Sequence, residues 1–227
     1  VALGDSKRAD GAKAYLKSDL TFLGVTVPQI RAEARALANA TPELDRATLW
    51  ELTHALWQTR IHELRSVAIA LLECRADLLR PSDMEAVAAL VRSANTWAHV
   101  DWLATKVAGA LVTAYPEVAV TLDQWAIASC MWLRRSAMLA LHDPVLRGSG
   151  DFQHFARLAV PMLGEREFFI QKAIGWMLRS ASKRRPEVTE AFVRSHAKAL
   201  SALSFREATR NLPPAKQARL RALREAP

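Results

Sequence analysis

Four tryptophans, Trp57, Trp97, Trp132 and Trp176, recur at intervals of 40, 35 and 44 residues in a chain whose apolar positions follow helical spacing almost throughout. That combination constrains the fold more than any other feature. An interval of about 40 residues is the length of a pair of helices, and one pair cannot bury its own apolar faces, so pairs stack on one another. Basic residues keep a similar interval: Arg65, Lys106, Arg135 and Arg179 are expected late in the second helix of a pair or close to it. A helical bundle is the competing arrangement, because the pairs diverge in sequence.

Helix boundaries are marked by chemistry. In "TPELDRATLWELTHALW", "RPSDMEAVAALV", "YPEVAVTLDQWAIA" and "RPEVTEAFVRSHA", proline or an N-cap residue stands ahead of carboxylates. Proline's fixed φ suits the first helical turn, and acids there face the positive end of the helix dipole. Glycine is scarce at 8 residues, and no run of alternating β-branched residues argues for a strand. The expected protein is all-α, an α-solenoid of HEAT-like helical repeats with a concave basic face, built from about a dozen helices of roughly 10 to 18 residues. The most glycine-rich point, "RGSGD" at 147 to 151, is expected to be a loop, and residues 1–227 read as a single domain.

With 51 per cent apolar residues, general disorder is excluded. The 31 Lys and Arg outnumber the 23 Asp and Glu, a formal +8 that fits a polyanionic partner or a solvated basic surface. Cys74 and Cys130 stand in apolar helical sequence and are expected to be buried thiols of a reducing compartment. No stretch reaches the roughly 20 apolar residues that span a bilayer, and "VALGDSKRAD" lacks secretory features. A cytoplasmic protein without a membrane segment is expected. The six histidines and two cysteines show no metal-ligand spacing, and the phosphate-loop, dinucleotide, nucleophile-elbow and HExxH motifs are missing, so a metal site is not expected.

The chemically informative stretch is "SANTWAHVDWLATK" at 93 to 106. Trp97 and Asp101 are one turn apart and share a helix face, while Leu103, Val107 and Leu111 fit a buried stripe. Arg135 follows Asp101 by 34 residues and Trp176 follows Arg135 by 41, close to the repeat interval. Stacked repeats would bring an acid, a guanidinium and two indoles to one wall. Each admits a plainer reading: tryptophan as core, and Asp101 as an ion-pair partner of Arg134 or Arg135.

Four segments, in order, resemble the DNA alkylation repair family of HEAT-repeat alkylpurine DNA glycosylases, the AlkD-like enzymes. They are "AYLKSDLTFLGVTVPQIR" (14 to 31), "TWAHVDWLA" (96 to 104), "MWLRRSAML" (131 to 139) and "EFFIQKAIGWMLRSASKRRPEVTEAFV" (167 to 193). The resemblance implies excision of cationic N3- and N7-alkylated purines from double-stranded DNA by a monomer, with no metal or cofactor and without burying the base in a flipping pocket, unlike most glycosylases. It also implies the roles. Asp101 matches the catalytic carboxylate, Trp97 and Trp176 the flanking aromatics, and Arg135 the arginine beside the acid. Tyr15 and Arg179 match DNA-contacting positions, and Lys172 and His99 join the expected DNA- and substrate-binding set.

The sequence departs from the family where Thr96, Ala98 and His99 replace a tryptophan, an acid and a small polar residue. His99 is expected either as a solvated helix residue or as a contact to an unusual adduct. Relatives that remove bulky adducts as self-resistance to a DNA-alkylating natural product make that specialised role a second expectation. From a different class, a catalytically silent repeat scaffold that binds DNA or a protein is the alternative.

Overall fold

Capping side chains start the helices where the sequence places them. Asp5 accepts from the Arg8 amide, Asp45 from Thr48, Asp151 from His154 and Ser201 from Ser204, each satisfying one of the amides a helix N-terminus leaves unpaired. The computed structural model describes residues 3–226. They form two compact units that divide between Val118 and Ala119.

The first unit contains α1 (Ser6–Leu16), α2 (Val27–Ala40), α3 (Arg46–Gln58), α4 (His62–Cys74), α5 (Met84–Ser93), α6 (Trp97–Trp102) and α7 (Gly109–Ala114). Helices α3 and α4 pack as a pair, α2 lies against α4, and α4 also meets α6. The segment Leu103–Ala108 between α6 and α7 is a π-helix. Glu63 accepts from the amides of Leu23 (2.9 Å) and Gly24 (2.8 Å), tying the turn after α1 to α4. Gly24 has φ +77, and a Cβ there would lie 2.0 Å from the Asp5 carbonyl oxygen, so this close approach requires glycine.

The second unit contains α8 (Ala119–Ala126), α9 (Met131–Leu139), α10 (His142–Arg147), α11 (Phe152–Ala159), α12 (Phe168–Ser182), α13 (Pro186–Ser195), α14 (Ala202–Thr209) and α15 (Pro214–Glu225). Helix α12 is its centre, packed by α9, α10, α13 and α14. Gly175 permits the α12–α14 contact: a Cβ there would meet Glu207 Cβ at 2.8 Å and Ser204 Cα at 3.2 Å.

The protein is therefore all-α with stacked HEAT-like helices, and among the described residues there is no strand, only an isolated bridge between Thr21 and Ile61. Several expectations need correction. The α-helices number fifteen among the described residues, and several are shorter than expected, because 3-10 turns at Pro81, Pro116 and Val160 and the π-segment interrupt longer helical runs. Arg65 falls in the first turn of α4 and Arg135 at the middle of α9, rather than late in a helix. Cys74 and Cys130 are free but half-buried, since one ends α4 and the other precedes α9. The loop at 148 to 151 is present, with Gly148 at φ +81. No helix among the described residues is long and apolar enough to cross a membrane.

Candidate functional site

Thr96 caps α6, its hydroxyl accepting from the Ala98 amide at 3.3 Å, and so sets the first turn on which Trp97 sits. Trp97 is half-buried, and the edge of Tyr15 meets it with centroids 5.7 Å apart and planes at 80°. Tyr15 is 72% exposed, too open to be core. Asp101, one turn after Trp97, is half-buried, and its backbone carbonyl accepts from the Thr105 hydroxyl at 2.7 Å. Leu103, Val107 and Leu111 are buried as the stripe requires. The π-segment begins two residues after Asp101, and single π-turns inside helices concentrate at functional sites.

His99 is neither solvated nor at the surface. It is 1% exposed, stacked on His62 (4.4 Å, 16°) and set against Trp57 at 5.6 Å. The physical reason is its position on the side of α6 that meets α4. Its Nε2 lies 3.2 Å from the His62 carbonyl oxygen and 3.0 Å from Ser66 Oγ. Ser66 already donates to that carbonyl, so His99 serves both oxygens best as the Nε2–H tautomer. Burial first, then the neighbouring His62 and Arg65, depress its pKa to about 3, and burial also lowers His62. Both rings are therefore neutral at physiological pH, and His99 supports α6 from beneath.

Sequence reasoning missed a second arrangement beside Asp101. Trp102 donates from Nε1 to Glu73 at 2.7 Å, Arg31 pairs with the same carboxylate at 3.2 Å, and the Arg31 guanidinium lies 4.7 Å over the Trp102 ring. This network joins α2, α4 and α6. It borders an open cavity of about 820 Å³ lined by Arg35, Asn39 and Cys74 among others. The spacing of three residues from three helices carries no signal that a single sequence reveals.

In the second unit, Arg135 is 2% exposed, donates to the Phe169 carbonyl and lies 5.7 Å over the Phe169 ring. Its neighbour Arg134 forms a two-pronged pair with Glu165 at 3.0 and 2.8 Å. Trp176 is half-buried against His142 at 4.7 Å. Lys172 and Arg179 both pair with Glu207, Lys172 at 3.3 Å. One carboxylate thus holds two cations and leaves one positive charge in excess, another relation separated by too much sequence to be read from spacing. Of the seven tryptophans, Trp50, Trp57 and Trp125 are core, whereas Trp97, Trp102, Trp132 and Trp176 keep exposed surface. Among the described residues no group of three or more His, Cys, Asp or Glu side chains gathers as a metal site.

Residues 1–212 match the family model described as DNA alkylation repair enzyme. Among solved structures, a protein of Enterococcus faecalis described as a predicted DNA alkylation repair enzyme is similar at 26% identity and a TM-score of 0.84, over 93% of this chain and 97% of its own. AlkD2 of Streptococcus mutans is similar at 15% identity and a TM-score of 0.58, over 88% of this chain and 89% of its own. Another protein, from Streptococcus mutans UA159, is similar at 15% identity and a TM-score of 0.55, over 88% of this chain and 96% of its own. At that identity the last two show the fold alone. No functionally curated protein matches the sequence.

Proposed function

The chain belongs to the DNA alkylation repair enzyme family, and from that premise we propose that it is a monofunctional DNA glycosylase that hydrolyses the N-glycosidic bond of cationic N3- and N7-alkylated purines in duplex DNA. The observation that carries the reading is the half-exposed Asp101 one turn from half-exposed Trp97, with exposed Tyr15 edge-on to that indole. An acid and two accessible aromatic rings on adjoining helices suit a cationic sugar better than they suit a packed core.

The chemistry follows from charge. Alkylation places a positive charge on the purine, so the C1′–N9 bond breaks with its electron pair moving to the base, which departs neutral. The deoxyribose becomes oxocarbenium-like. The Asp101 carboxylate stabilises that cation and orients water towards C1′; the proton lost by the water passes to the carboxylate or to solvent. The indole face of Trp97 favours the cation by about 0.5 to 2 kcal/mol, and Trp176 keeps exposed surface as a further aromatic for the DNA. Arg135, 2% exposed and bonded to the Phe169 carbonyl, braces α9 against the start of α12 and is not open to a phosphate. Tyr15, Lys172 and Arg179 would contact the strands, and a chain of formal charge +8 gains salt-sensitive affinity for backbone phosphates. No enclosing base pocket is required, because the leaving group is already activated. His99, being buried, acts on the site only through α6.

Base release from duplexes carrying N7-methylguanine, N3-methyladenine or a bulky N3-alkyladenine tests this. The expected result is release of at least one base as the free purine, leaving an abasic site, and the preferred lesion tells general repair from a self-resistance role. Salt-sensitive binding with no release from any of the three would instead support the silent scaffold.

A further inference from the structure

Arg65 is a buried cation without a buried acid. It is 7% exposed, and the acid that acts on it electrostatically, Asp19, is an exposed residue already paired with Arg60. Its donors go to neutral oxygens instead. Nε donates to the Thr59 carbonyl at 2.8 Å, and Nη1 donates to Asn95 Oδ1 at 2.7 Å, with the Ser93 carbonyl at 3.5 Å. The guanidinium also lies 5.1 Å over the ring of Trp57, whose Nε1 donates to Ser93 Oγ at 3.0 Å. Burying a charge in this way is costly unless its hydrogen bonds are well made. An apolar residue would fill the same space at less cost, so the fork geometry itself calls for an explanation.

Ser93 ends α5, and Asn95 and Thr96 belong to the short link between α5 and α6, immediately ahead of Trp97. Arg65 and Trp57 therefore grip that link from α4 and from the end of α3. A third grip follows within α6, where His99 Nε2 reaches the His62 carbonyl and Ser66 Oγ on α4. The link fixes where α6 begins, and the His99 contact fixes the rotation of α6 about its axis. Together they determine where the side chains of Trp97 and Asp101 stand.

We propose that Arg65 and Asn95 are positioning residues for the glycosylase reaction: their hydrogen bond holds the link so that Asp101 meets the sugar in reactive geometry. The proposal rests on the reading of Asp101 given above. Neither residue touches substrate in this account. Their effect falls on the chemical step rather than on DNA affinity, which phosphate contacts elsewhere supply.

The experiment compares Arg65→Met, Asn95→Ala and the double variant with wild type, measuring single-turnover base release, duplex affinity and backbone amide exchange of residues 93 to 101. Asn95 is exposed, so Asn95→Ala keeps the test available if Arg65→Met fails to fold. Val193→Ala, a core truncation in α13, serves as a stability control. Expected are faster amide exchange in the link, a rate lower by roughly 10-fold to 100-fold at unchanged affinity, and a double variant no worse than the slower single one. The control should keep its rate below its unfolding range. An active wild type whose rate survives Asn95→Ala overturns the proposal while leaving the glycosylase reading intact. Rate and affinity falling together also overturn it, because the link would then be a binding element. A wild type that releases no base removes the reading and the proposal together, whatever the amide exchange shows.

Discussion

Acidification should expose the buried state of His99 through a loss of stability. The imidazole is 1% exposed and its pKa lies near 3 instead of the ordinary 6.5. As pH falls below about 6.5, the unfolded chain takes up the proton and the folded chain does not. The stabilising contribution of a neutral His99 is therefore whole above the unfolded pKa and is lost as pH falls towards the folded one. At about 1.36 kcal/mol per unit, the loss from about pH 7.5 to about pH 5 is roughly 2 kcal/mol. Urea unfolding across that range, on wild type and His99→Gln, isolates the contribution. Glutamine retains a donor for the His62 carbonyl but does not titrate, and the linked loss from His62 is common to both chains. Wild type should lose roughly 2 kcal/mol more than the variant over the interval. Parallel losses would mean that His99 protonates readily in the folded state.

Two further substitutions probe the second unit. Gly175→Ala should lower the melting temperature by roughly 2 to 4 °C, because overpacking against Glu207 and Ser204 costs about 1 to 3 kcal/mol and the helix-propensity gain offsets only about 1; a rise in melting temperature would contradict the close contact of α12 and α14. Glu207→Gln removes the carboxylate that Lys172 and Arg179 share. The salt dependence of duplex binding should then steepen by about 0.9 for each cation released to a phosphate, and an unchanged slope with unchanged affinity would mean that Glu207 does not compete with phosphate for them.

What the sequence makes legible is local or periodic. Asp45, Thr96 and Asp151 cap helices as their side chains dictate, and the stripe of Leu103, Val107 and Leu111 is buried as helical spacing requires. The π-segment was not legible, since "LATKVA" has the composition of any apolar helix and its extra residue per turn is set by packing. Nor was the burial of His99. A lone histidine on an amphipathic helix is ambiguous until its facing helix is known, and here that helix supplies both His62 and Ser66. Arg65 was read as one of a basic series, although its long stem and planar fork let it serve as an internal donor. Asp101, Trp97 and Trp176 stand out because family segments surround them; spacing alone left each a candidate core or ion-pair residue.

Whether Asp101 performs chemistry is decided by single-turnover release of the preferred base by wild type and Asp101→Asn, with duplex affinity measured on both. The asparagine variant should lose roughly 10²-fold or more in rate while binding undamaged and lesion-bearing duplexes at least as tightly, since a negative charge facing the strands has been removed. Release by the variant at the wild-type rate would contradict a chemical role and return Asp101 to a structural one.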